Sequence, residues 1–111
     1  VRISFEKKKL QAICNSEKSM QQAYGKDMAA KLALRLADLR AAANLVEMSH
    51  LPPARCHLLT GNRKGQFSVD LVHPYRLIFI PDHDPIPLDA QGGIDRQAVT
   101  EIVIVEIADT H

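Results

Sequence analysis

The sequence predicts an α+β domain in which an N-terminal helical hairpin packs on one face of a small, twisted antiparallel sheet. Three observations carry that expectation. Apolar residues recur at helical spacing through Met28, Leu32, Leu36, Leu39 and Ala43. Pro52-Pro53 then ends any helix, since proline donates no backbone hydrogen bond and drives the residue ahead of it out of the helical region. Beyond it, "QFSVDLV", "YRLIFI" and "TEIVIVEIA" are rich in β-branched and aromatic residues and are separated by turn chemistry. Helices first and hairpin-linked strands afterwards gather the helices on one side of a sheet and leave its other face free for function.

Taken in order, "VRISF" (1–5) alternates as a short strand. Phe5, Leu10, Ile13 and Cys14 suit a helix from about Glu6. Asn15-Ser16 is a break or a new N-cap, with Glu17 in the first turn, and the helix that follows runs to Tyr24, where Gly25 stops it. The next helix spans Lys26 to Ala43, with Lys31, Arg35 and Asp38 on the face opposite the apolar stripe. The two helices joined at Gly25 form an αα-hairpin, and a further helical turn is expected at Leu45–Met48. "RCHLL" (55–59) reads as a strand, "TGNRKG" (60–65) as a turn, and 66–72 as a strand with Phe67, Val69 and Leu71 on one face. His73-Pro74 makes a tight connection to "YRLIFI" (75–80), which is apolar on both faces and therefore central. Residues 81–99, with four Asp, three Pro and two Gly, read as a long loop before the last strand at 100–108.

A chain of 111 residues supports one domain, 1–111, and 46% apolar with 24% charged residues is a globular composition. No apolar run reaches the length of a membrane span and no secretory pattern opens the sequence, so a cytoplasmic protein without membrane contact is expected. Cys14 and Cys56 belong to no CxxC pairing and read as reduced thiols. Charge is split: residues 1–76 hold 13 of the 14 Lys and Arg against six acids, while 77–111 hold one Arg against seven acids. Such a chain can present a cationic surface to a polyanion, or simply be patterned for solubility.

Four places can carry chemistry. Gly61 and Gly65 bracket Arg63 and Lys64, with His57 on the strand entering the turn; two cations on a glycine-framed turn suit phosphate oxygens, and equally suit a solvated hairpin. Arg76 lies in an otherwise apolar strand, where a lone charge is costly, so it meets either a structural carboxylate or a ligand phosphate. Alternation along the last strand would set Val103, Val105, Ile107, Asp109 and His111 on one face, so that Asp109 and His111 project together or form a polar tail. His50 and His73 read as surface residues. "DHD" (82–84) has no second cluster to complete a metal site, so neither a metal nor a cofactor is expected.

Taken together, "YGKDMAAKLALRLADLRAAANL", "LPPARCHLLTGNRKGQFSVDLVHPYRLIFIP" and "IVIVEIADTH" resemble the HigB branch of the RelE toxin superfamily over nearly the whole chain except the 82–99 loop. The most specific parts are H-x-L-x-G-x-R-K-G-x-F-S-V, the Y-R-L-I-F strand and the terminal acid-x-His. The resemblance implies a compact fold like that of a small microbial ribonuclease. It also implies an mRNA interferase, the toxin of a type II toxin–antitoxin pair, which cuts translated message in the ribosomal A site and so inhibits translation. His57, Asp109 and His111 fall on the family's active-site positions, and Arg63, Lys64 and Arg76 on or near its basic ones. The implied partners are the ribosome with its mRNA and a cognate antitoxin, often a helix-turn-helix protein of the HigA kind.

Metal-independent cleavage through the ribose 2′-OH needs a base, an acid for the leaving 5′-oxygen, and cations for the charge gathering on phosphorus. His57 and His111 would transfer protons, Asp109 would orient an imidazole or a base, and Arg76, Arg63 and Lys64 would supply the field. Thr110 stands where relatives commonly carry an aromatic, usually Tyr. Threonine cannot stack on a base, so either Tyr75 or Phe67 supplies that RNA-binding surface, or codon preference and rate differ, or the toxin is a weakened one. Two alternatives share the resemblance: a non-catalytic toxin acting by protein binding, as the gyrase-poisoning ParE toxins do, and a degenerate partner that only binds its antitoxin.

Overall fold

In the computed structural model, residues 1–110 are described, and His111 lies outside the described residues. The chain forms β1 (Arg2–Phe5), α1 (Lys8–Ile13), α2 (Glu17–Tyr24), α3 (Lys26–Ala41), α4 (Leu45–Ser49), β2 (His57–Leu58), β3 (Phe67–Asp70), β4 (Tyr75–Pro81) and β5 (Glu101–Asp109). The helix ends follow from local chemistry. Ser16 caps α2 by accepting from the Ser19 N–H at 3.1 Å, and Asn44 caps α4 by accepting from Val46 and Glu47. Gly25 separates α2 from α3 at φ +84°, a backbone setting that a side chain would strain. α3 stops at Ala41 rather than Ala43, because Ala42 turns into extended backbone.

The strands form one five-stranded sheet in the order β1-β5-β4-β3-β2. Three ladders are antiparallel, but β1 runs parallel to β5, so the sheet is mixed where a purely antiparallel one was expected. The reason is topological: parallel neighbours need a long crossover, and the entire helical layer lies between β1 and β5 in the chain. β2 is shorter than the expected strand at 55–59, because Arg55 takes left-handed backbone at φ 48° and leaves the ladder.

The core lies between helices and sheet. Leu32, Leu36 and Leu39 of α3 share one buried cluster with Phe67, Val69, Leu77 and Phe79, and the Phe67 and Phe79 rings stack with centroids 5.8 Å apart. Arg35 contradicts the amphipathic reading that placed it with Lys31 and Asp38 on the outer face. It is only 3% exposed. Its Nε donates to the Asp70 carbonyl and its Nη2 to the Pro53 carbonyl, both at 2.7 Å, while Nη1 reaches Asp38 at 3.3 Å. A planar fork with several donors can serve three acceptors at once, which is how a charge is tolerated beside the apolar stripe.

The 81–99 loop is tied down by its own polar groups. Asp89 accepts from the Gln91 and Gly93 N–H groups, Leu88 bridges to Ile94, and a short 3-10 turn spans Arg96–Ala98. His83, the centre of the "DHD" run, accepts through Nε2 from the Thr100 and Glu101 N–H groups. The Arg96 guanidinium sits over the Phe67 ring at 5.3 Å, adding a cation–π contact that holds the loop to the core. Among the described residues no helix is long and apolar enough to cross a membrane.

Neither cysteine is paired, and burial pushes both thiols up to about 11. We therefore expect native protein to resist iodoacetamide at neutral pH while unfolded chain reacts fast, read by intact-mass spectrometry. The sign for stability follows from the same shift. The folded thiols keep their protons longer than unfolded ones at 9.0, so their contribution is whole below pH 9.0 and is lost as the pH rises to about 11.

Candidate functional site

The sheet has one face against the helices and one face away from them, and strand alternation decides what the second face carries. On β3, Phe67 and Val69 point into the core, so Ser68 and Asp70 point to the outer face. Cross-strand pairing then extends two rows over the outer face. One row runs His57, Ser68, Ile78, Glu106, and the next runs Asp70, Arg76, Ala108. Ile78 is fully buried yet lies outside the helix-side core cluster, consistent with its place in the first row.

His57 and Arg76 are brought together by this geometry. Arg76 Nη1 lies 3.1 Å from His57 Nε2, and His57 Nδ1 lies 3.1 Å from the Arg55 carbonyl. A guanidinium only donates, so Nε2 is the acceptor; Nδ1 then carries the proton and donates to Arg55. These two contacts together favour the tautomer with its proton on Nδ1. Asp70 stands behind the pair, its Oδ1 3.2 Å from Arg76 Nε and its Oδ2 3.6 Å from Arg55 Nε. The Arg76 side chain is 12% exposed, so its carboxylate partner is what makes its burial tolerable. Arg55, whose carbonyl orients His57, is a non-glycine residue at φ +48°, a conformation that costs of order 1–3 kcal/mol and clusters at functional sites.

Arg63 joins this face from the turn. The turn is a 3-10 segment, Gly61–Arg63, and both bracketing glycines have positive φ. Arg63 Nη1 donates to Gln66 Oε1 at 3.0 Å and pairs with Glu106 at 3.6 Å, which carries it across β4 from the β3 side to the β5 side. Lys64, its neighbour in sequence, is exposed.

Other expected site residues are placed differently. A β-bulge interrupts β5: Ile78 pairs with Glu106 but Phe79 with Ile104, leaving Val105 as an extra residue. The single face expected for Val103, Val105, Ile107 and Asp109 is therefore broken. Ile107 pairs with Leu77 and packs on the core, and Asp109 pairs with Tyr75, two positions further along the same side. His57 and Arg76 belong to the opposite side. Tyr75 is exposed and lines an apolar groove of about 460 Å³ with Leu10, Ile13, Tyr24, Met28 and Ile107. Phe67 is fully buried in the core and offers no surface for stacking. Thr110 carries a buried hydroxyl with no hydrogen-bond partner among the described residues. His111 lies outside the described residues.

Four residues of this face escaped sequence reasoning. Asp70 and Ser68 were within reach, because setting Phe67, Val69 and Leu71 inward already turns Ser68 and Asp70 outward. Glu106 was not, since only the bulge brings it into register with Ile78. Arg55 depends on a backbone angle that no composition signals. No protein-family model matches the chain, and no curated protein matches it.

Proposed function

We propose that this protein is the toxin of a type II toxin–antitoxin pair and acts as a ribosome-dependent endoribonuclease on translated message. The observation that carries this reading is the contact of Arg76 with the Nε2 nitrogen of His57, backed by Asp70, on the sheet face away from the helices. The order of the three quoted motifs supports the same assignment.

The chemistry follows from the donors. An incoming phosphodiester offers Arg76 a stronger acceptor than an imidazole, so the guanidinium turns to a non-bridging oxygen. That releases the His57 Nε2 lone pair, which takes the proton of the ribose 2′-OH as general base. The 2′-oxygen attacks phosphorus, the bond to the 5′-oxygen breaks, and a 2′,3′-cyclic phosphate is left. The 5′-oxygen needs a proton, a role the motif match gives to His111. Arg76 and Arg63 stand where negative charge gathers, and donors already fixed there need no reorganisation as the reaction proceeds. The regulatory partner is a cognate antitoxin.

A second reading, a non-catalytic relative that acts by binding a protein, is favoured by one observation: the register sends Asp109 to the side opposite His57. Induction in cells separates the two. Wild type should arrest growth and cut message at defined codons, and His111→Ala should do neither. Growth arrest by His111→Ala without cut message would favour the protein-binding reading.

A further inference from the structure

We infer that the Ser68 hydroxyl is a phosphate-binding group of this face, an inference that rests on the ribonuclease reading and deepens it. Ser68 is 0% exposed, and its Oγ has no hydrogen-bond partner among the described residues. Buried hydroxyls are almost always satisfied, and one left unmade in a strand interior disfavours the fold where alanine would not. The position is therefore not explained by packing.

Its surroundings name the missing partner. Ser68 pairs across the ladder with His57 on one side and with Ile78 on the other, and the adjacent row holds Asp70 and Arg76. Paired side chains on one face stand about 4.5–5.5 Å apart at Cβ, and diagonal neighbours about 7–8 Å, so one small group can touch several of them. Ser68 and Arg76 both offer hydrogens, and His57 carries one on Nδ1. A tetrahedral oxyanion, with acceptors directed to several sides, satisfies a hydroxyl and a guanidinium together; an ammonium or a metal ion could bind the hydroxyl oxygen but would be repelled by the guanidinium. On this inference the Ser68 hydroxyl becomes reachable when Arg76 leaves His57 for the incoming phosphate. Arg76 would then hold one non-bridging oxygen and Ser68 another. That fixes the phosphorus relative to His57, as in-line attack requires.

The test compares wild type with Ser68→Ala, using inorganic phosphate and a 2′-O-methyl RNA oligonucleotide that cannot be cleaved, by amide chemical-shift titration. Thermal stability of Ser68→Ala should equal or exceed that of wild type. Its affinity for both probes should fall about 5–10-fold, the scale of one hydrogen bond to an anion. Ser68→Cys, of similar shape but a weaker donor, should fall between them. Equal phosphate affinity in wild type and Ser68→Ala overturns the inference, as does a titration in which the Ser68 and His57 amides do not move. Message cleavage on ribosomes separates the two claims. Ser68-dependent phosphate binding without any cleavage leaves the subsite standing and removes the ribonuclease reading. Cleavage by Ser68→Ala at the wild-type rate removes the subsite and leaves the reading.

Discussion

Replacing Arg35 by methionine is expected to destabilise the fold by about 3–5 kcal/mol, a large share of the roughly 5–15 kcal/mol that holds such a domain together. Methionine fills much of the same volume, so the effect isolates the polar contacts. The Asp70 and Pro53 carbonyls each lose a charge-assisted bond of 2.7 Å, and an acceptor stranded by removal of its donor costs roughly 1–3 kcal/mol. Asp38, at 24% side-chain exposure, can rehydrate and adds little. Arg35→Lys should recover only part of the loss, since an ammonium lacks the planar fork that spans two carbonyls. Urea denaturation checks this through the shift in midpoint. A loss under 1 kcal/mol would mean that the two carbonyls find other partners. The consequence reaches the site, because Arg35 anchors the backbone of Asp70, whose carboxylate faces Arg76 on the other side of the sheet.

The second large effect concerns catalysis. Arg76→Ala should lower the rate of message cleavage by roughly 10²–10³-fold, the usual cost of removing a fixed donor to a transition-state oxyanion. His57→Ala should cost roughly 10²–10⁴-fold, as a lost general base does. Because the two side chains are bonded to each other, the double variant should lose less than the product of the single losses. Arg76→Lys should restore little, since one ammonium cannot both pair with Asp70 and fork onto phosphate oxygens. Single-turnover cleavage on programmed ribosomes gives these rates. Arg76→Ala cutting at the wild-type rate would remove Arg76 from the mechanism.

The helices and strands were legible in the sequence because their signals are local. The apolar steps from Met28 to Leu39, the Ser16 cap and Gly25 each fix backbone within a few residues, and the structure has α2 and α3 where they point. What was hidden depends on distant partners. Arg35 looks like an outer-face residue until the carbonyls of Pro53 and Asp70 arrive from elsewhere in the chain. The parallel pairing of β1 depends on how the helical layer returns the chain to the sheet. The faces of β5 depend on one extra residue, Val105, and a single inserted position exchanges every side chain beyond it between core and outer face. Part of the site was therefore readable and part was not. His57, Arg63 and Arg76 come to one face as their chemistry suggests, and the carboxylate that organises two of the arginines turned out to be Asp70 on the neighbouring strand.

In the proposed function this face cleaves RNA through the substrate's own 2′-OH, with His57 receiving the proton and Arg76 holding the phosphate. The direct measurement uses purified protein, programmed ribosomes, and two messages that differ only by 2′-O-methylation of the nucleotide before the cut. The unmodified message should be cut to a 2′,3′-cyclic phosphate and a 5′-hydroxyl, with the methylated message left whole. Cleavage of the methylated message, or a 5′-phosphate on the downstream product, would contradict it.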